Sequence, residues 1–147
     1  MKATELMIGD WVYDTILKGN TRVNILSLSG IRGDFHENVW NEKTFEPIPI
    51  TPEILEKNGF IKDAYKDDRL TDAYHLLVPT GFERNSFTIQ VSLYKEPICG
   101  VSTLVKCWGW LPPYNGGMND IHLCSANYVH ELQHALKLCG ITKEIAL

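Results

Sequence analysis

The chain lacks a basic stripe. Its 147 residues carry 14 Lys plus Arg against 18 Asp plus Glu, a formal net charge of −4. Residues 1–73 hold nine basic against thirteen acidic side chains, and residues 74–147 hold five against five. Neither half contains a Lys/Arg block, so the electrostatic footprint of a nucleic-acid binder is missing, and DNA or RNA is not an expected partner. Long apolar runs are absent as well. The opening MKATELMIGDWVYD places Glu5 and Asp10 where a signal peptide needs an apolar core, and no stretch reaches the length of a membrane span. The expectation is a cytoplasmic chain with no membrane partner. Cysteine is sparse: Cys99, Cys107, Cys124 and Cys139 form no C-x-x-C pair, which removes a ribbon-type zinc site. They read as reduced thiols, mostly small core residues, and a mixed set of Cys107, His122 and Cys124 matches no familiar ligand spacing. A Gly-rich phosphate loop and a G-x-S-x-G elbow are also missing. The acidic stretch DAYKDDRLTD, with Asp63, Asp67, Asp68 and Asp72, lacks the residue order of a calcium loop and reads as a solvated connection.

What is present is the composition of a globular domain, 44% hydrophobic and 22% charged, at a length that buries a real core. One domain is expected over 1–147, with a β-rich part over about 1–48 and an α+β remainder over about 49–147. LMIGDWVYD, TRVNILSLSG and VWNEKTFEPI read as short strands broken by turn residues, and predict a partly barrel-like, SH3-like sheet. In PITPEILEKNGF, Thr51 is an N-cap, Pro52 opens the helix and Gly59 closes it, predicting a short helix near 51–58. GFIKDAY, AYHLLVP, SFTIQVSLY and GVSTLVKCWGW predict further strands. In the third of these Phe87, Ile89, Val91 and Leu93 share one face, as in an antiparallel strand with one side on the core. LPPYNGGMND reads as a loop. SANYVHELQHALKLCG predicts one long helix near 125–139 ended by Gly140, and ITKEIAL is a candidate last strand. The fold class is α+β with a mostly antiparallel sheet.

The one loud motif is HELQH, residues 130–134. His130 and His134 sit at i and i+4, so one helix face could present both to a zinc ion, with Glu131 as the base on metal-bound water. The helical wheel argues otherwise. At about 100° per residue His134 falls about 40° from His130, whereas Val129, Leu132, Leu136 and Cys139 fall about 180–260° away. The two histidines then share a polar face with Gln133 and Lys137, and a solvated face accounts for all four. A third ligand is also wanting, because Gly140 stands six residues past His134 and Glu144 is the one downstream candidate.

MKATELMIGDWVY, PIPITPEILEKNGF and YVHELQHALKLCGI, in that order, resemble a family of small uncharacterised proteins of gut anaerobic bacteria, their prophages and their phages. The resemblance covers residues 1–13, 47–60 and 128–141. In the family pattern Gln stands where this chain has Glu131, and Asn where it has His134. His130, Leu132 and Gln133 match. A hydrolase could not dispense with its base and a metal ligand, so the resemblance implies that HELQH is a variant of a His-x-Leu-Gln helix and implies no activity.

CWGWLPPYNGG gathers Trp108, Trp110, Pro112, Pro113 and Tyr114 ahead of a hairpin-type Asn-Gly. Two Trp spaced two apart share a strand face and can cover a core. At the loop tip, Trp110 and Tyr114 are the candidate binding residues. The expected function is a phage-type accessory protein that binds an unidentified protein partner or a second copy of itself. It needs no catalytic residue, metal or cofactor. The alternative is a zinc-dependent hydrolase using His130, Glu131 and His134.

Overall fold

In the computed structural model the described residues are 6–24, 44–64, 68–82, 85–98, 101–109 and 119–147. Backbone alone is described at 79–82, 85–86, 98, 101–102, 108–109 and 119–123. Ten elements follow in chain order: β1 (Trp11–Asp14), β2 (Gly19–Arg22), β3 (Phe45–Glu46), α1 (Pro52–Lys57), β4 (Ile61–Lys62), β5 (Leu70–Phe82), β6 (Asn85–Ile98), β7 (Val101–Gly109), β8 (Asn119–Ser125) and α2 (Val129–Leu138). They form two antiparallel sheets, one ordered β2-β1-β3 and the other β4-β5-β6-β7-β8. The expected α+β class with mostly antiparallel pairing is observed. No closed barrel forms among the described residues.

The small sheet is built on tight turns. Gly9 has φ +92, a backbone conformation in which a side chain would be strained, and the turn it makes delivers Asp10 and Trp11 into β1. At the far end, one Asp14 carboxylate oxygen accepts from the Ile16 and Leu17 N–H groups (2.8 and 2.9 Å), fixing the β1–β2 turn. Alternation along β1 then sorts its side chains. Val12 joins Leu6, Val23 and Phe45 in a small apolar cluster, while Trp11 and Tyr13 pack against the main core on the other side.

The large sheet follows the expected alternation. Ile89, Val91 and Leu93 of β6 are buried with Tyr74 and Val105, and Phe87 packs at the edge of the same cluster. The opposite face is less open than a one-sided strand implies, since Thr88 and Ser92 are also buried. Helix α1 matches its sequence signals closely. Thr51 Oγ1 accepts from Ile54 N–H at 3.4 Å, Pro52 leads the helix, and Leu55 is fully buried.

The second helix begins later than expected. Ser125 closes β8, and Ala126–Tyr128 run extended because the chain there pairs with the segment leading into α1. Ile50 N–H donates to Asn127 O at 3.1 Å, Val129 N–H donates to Ile48 O at 2.8 Å, and Pro49 bridges Tyr128. Tyr128, at φ −127 and ψ 154, is therefore the N-cap, and α2 is a ten-residue helix over 129–138 rather than one reaching back to 125. Two further corrections belong here. Strand β8 occupies Asn119–Ser125, whereas Asn119 and Asp120 were expected in a loop and Ser125 in the helix. Residues 141–147 form no strand; the carbonyls of Ile145, Ala146 and Leu147 are met by side chains instead.

Helix α2 lies between the two sheets. Val129, Leu132, Ala135 and Leu136 enter the core against the large sheet. Its other side meets β1, where Trp11 N–H donates to Gln133 Oε1 at 3.0 Å. No described helix is long and apolar enough to cross a membrane.

Candidate functional site

The polar face of α2 is the place to test HELQH, and it is not solvated. His130 and Gln133 are 3% and 7% exposed, because a helix flanked by sheets on two sides buries residues that a one-sided wheel sends to water. Each side chain of the motif has a structural task. His130 stacks on Tyr128, with ring centroids 5.9 Å apart and planes 6° from parallel. Glu131, at the third helical position, accepts from the N–H groups of Asn127 (2.7 Å) and Tyr128 (3.1 Å). That is the reach-back half of a capping box, and it occupies the carboxylate with the helix's own start. Gln133 satisfies the backbone of Trp11.

His134 makes the contact with most chemical interest. Its Nε2 lies 3.0 and 2.9 Å from the two carboxylate oxygens of Asp10, which is fully buried, while the His134 side chain is 26% exposed. Asp10 Oδ2 also accepts from Met7 N–H at 2.6 Å. A carboxylate on one ring nitrogen is how metal-bound histidines are often oriented. The His130 ring is edge-on to His134 at 6.0 Å. Yet among the described residues no three His, Cys, Asp or Glu side chains are grouped closely enough to share a metal ion. What the pair does visibly is tie β1 to α2 across 124 positions of sequence.

Glu131 yields a direct test. Glu131→Ala is expected to lose ~1–2 kcal/mol of stability through two orphaned N–H groups, whereas Glu131→Gln, which keeps an acceptor oxygen, stays within about half of that. Urea unfolding of the three proteins measures it. No loss in the Ala variant would mean the capping contact contributes nothing.

The acidic stretch also departs from expectation at two described positions. Asp63 Oδ1 lies 2.5 Å from His75 Nδ1, and Asp72 pairs with Lys62, so both carboxylates are engaged rather than simply solvated. In the sheet register His75 sits opposite Ile61 and Gln90, Gln90 opposite Lys106, and Lys106 opposite His122. The described cysteines, Cys107, Cys124 and Cys139, are free, partly buried thiols packed on the main core. Burial pushes all three upward in pKa, Cys139 to about 11 with added contributions from Cys107 and Cys124, which makes them poor nucleophiles at neutral pH. Trp110 and Tyr114, the binding candidates of the aromatic loop, lie outside the described residues, as do Cys99 and the side chains of Trp108 and His122.

A set of residues that sequence patterns did not single out converges on the C-terminal segment. Ile145 is 2% exposed. Trp11 Nε1–H donates to its carbonyl at 2.7 Å. Asn58 takes the next residue at two points: Ala146 N–H donates to Oδ1 and Nδ2–H donates to Ala146 O, each at 2.8 Å. Lys57 Nζ donates to Leu147 O. Arg22 forms a two-pronged ion pair with Glu144 at 2.7 Å on each prong and lies 4.7 Å above the Trp11 ring. The guanidinium holds the Glu144 carboxyl below its ordinary pKa, so this contact persists above that lowered value and is lost as pH falls through it. Beside these residues an open recess of about 500 Å³ is lined by Trp11, Asn20, Arg22 and residues 144–147. The sequence marked ITKEIAL only as a candidate last strand, and its three polar residues followed by three apolar ones do not reveal an extended segment held without a strand partner. Comparison with protein-family models, curated proteins and solved structures finds no match to this chain.

Proposed function

We propose that the protein is a non-enzymatic interaction module of phage or mobile-element type, which binds a protein partner and is able to self-associate. The observation that carries this reading is the placement of four large aliphatic side chains on the two turns that bound β1. Met7 and Ile8 are 50% and 60% exposed at one end, and Ile16 and Leu17 are 57% and 70% exposed at the other. Turns favour Gly, Asn, Asp and Ser for conformational reasons, so aliphatics there gain nothing for the fold. Against a partner each would contribute roughly half to two thirds of the ~1.5–3 kcal/mol of a fully buried aliphatic side chain. The engagement of Glu131 and His134 in internal contacts supports the same reading over hydrolysis. In this proposal the β2-β1-β3 sheet belongs to a partly barrel-like, SH3-like unit, and the resemblance over residues 1–13, 47–60 and 128–141 supplies the biological setting.

Sedimentation equilibrium of the parent and of an Ile16→Asp, Leu17→Asp double variant tests it. The expected result is concentration-dependent association of the parent that the variant lacks, with unchanged circular dichroism. Indistinguishable, strictly monomeric behaviour would remove the β1–β2 turn as a self-association surface. Metal analysis belongs beside it: near-stoichiometric zinc that disappears in His134→Ala would replace this reading with the hydrolase.

A further inference from the structure

Residues 141–147 are held in a manner unusual for part of a fold. No strand or helix contains them, and the carbonyls of three successive residues are met by side-chain donors from two places: Trp11 in β1 for Ile145, and the end of α1, where Asn58 serves Ala146 and Lys57 serves Leu147. One side chain, Ile145, is buried to 2%, and one charge, on Glu144, is read by a two-pronged Arg22. Asn58, itself 4% exposed, addresses both the N–H and the C=O of a single residue, as a neighbouring strand would. Backbone hydrogen bonds for affinity, one pocketed side chain and one charge pair for selectivity are the elements by which proteins recognise extended peptides.

We infer that this groove, between the Trp11–Arg22 face of the small sheet and the end of α1, is a peptide-recognition site occupied in cis by Glu144–Leu147, and that it accepts in trans an extended partner segment in which an acidic residue is followed by a branched aliphatic one. The chemistry of the occupant defines the class. Arg22 requires a carboxylate, the buried position takes Ile or a close relative, and Asn58 holds the backbone of the third position, where Ala146 itself is exposed. The recess of about 500 Å³ beside the segment leaves room for partner residues that the cis occupant does not supply. A tethered segment competes at an effective concentration in the millimolar range, so a partner gains access when the cis contact is weakened. The site is distinct from the aliphatic turns, and its failure would leave the self-association reading untouched.

The test uses the full chain and end-capped Lys-Glu-Ile-Ala-Leu as the probe, with the Trp11 indole N–H resonance as readout, assigned through Trp11→Phe. Glu144→Arg places a cation against Arg22 and loosens the cis segment. Both side chains are substantially exposed (69% and 38%), so the fold tolerates charge changes there. The peptide is expected to move the Trp11 signal saturably, binding Glu144→Arg up to about fivefold more tightly than the parent, the range of an exposed ion pair. Arg22→Glu should reject this peptide and accept one carrying Arg in place of Glu. A dispersed, folded spectrum whose Trp11 signal stays fixed, or shifts equally with a scrambled peptide, would overturn the inference. Should either variant fail to fold, the parent decides alone: a saturable shift with the probe and none with the scrambled peptide sustains the site, and any other result removes it.

Discussion

Asp10→Ala is expected to destabilise the fold by ~3 kcal/mol. The carboxylate is fully buried and serves Met7 N–H and the His134 ring at once. Each buried donor left without its acceptor costs about 1–3 kcal/mol, and Asp10→Ala leaves two of them. His134 keeps a quarter of its side chain in solvent, which lets it recover hydration and places the estimate at the low end. Asp10→Asn retains an acceptor for Met7 N–H and should fall between parent and Ala. In urea the midpoint should drop with the m-value unchanged, and a thermal scan should lose ~6–12 °C for a chain of this size. A loss below about 1 kcal/mol would mean that β1 and α2 are not fastened through this pair in solution.

Leu132→Ala is expected to cost ~3–4 kcal/mol, while Leu138→Ala on the same helix stays within about 0.5 kcal/mol. Both remove the same atoms. Leu132 is 1% exposed inside the main core and Leu138 is 80% exposed, so the contrast isolates packing from helix propensity. The loss at Leu132 combines the transfer of its methyl groups with the void they leave between helix and sheet. Parallel urea titrations measure both. Similar losses at the two positions would contradict the placement of α2.

Much of the architecture was legible because the signals were local. Thr51, Pro52 and Gly59 mark α1 through backbone rules that need no tertiary context. The alternation from Phe87 to Leu93 marks β6 in the same way. Helix α2 was misread at its start because Asn127 and Tyr128 are extended by pairing with Ile48–Ile50, a contact between segments about 80 residues apart that no local pattern reveals. The buried state of His130 and Gln133 was illegible for a related reason. A helical wheel identifies one apolar face, and the second buried face of α2 is polar because it meets backbone and a carboxylate. Asp10 gave no sign of burial beyond its place after Gly9. The groove for residues 144–147 draws on Trp11, Arg22 and Asn58, whose meeting is set by the docking of the sheets.

The fastening of β1 to α2 has a consequence for how the chain reaches this structure. Trp11 with Gln133, Asp10 with His134 and Trp11 with Ile145 are separated by 122, 124 and 134 positions. Contacts of that span carry a large loop-closure penalty and place the protein among slowly folding topologies. During synthesis, at about 5–20 residues per second, β1 is made on the order of ten seconds before α2 exists. Through that interval Trp11 and Tyr13 have no helix to pack against. Maturation therefore waits on α2, and the small sheet is the region most in need of protection from aggregation until that helix is made.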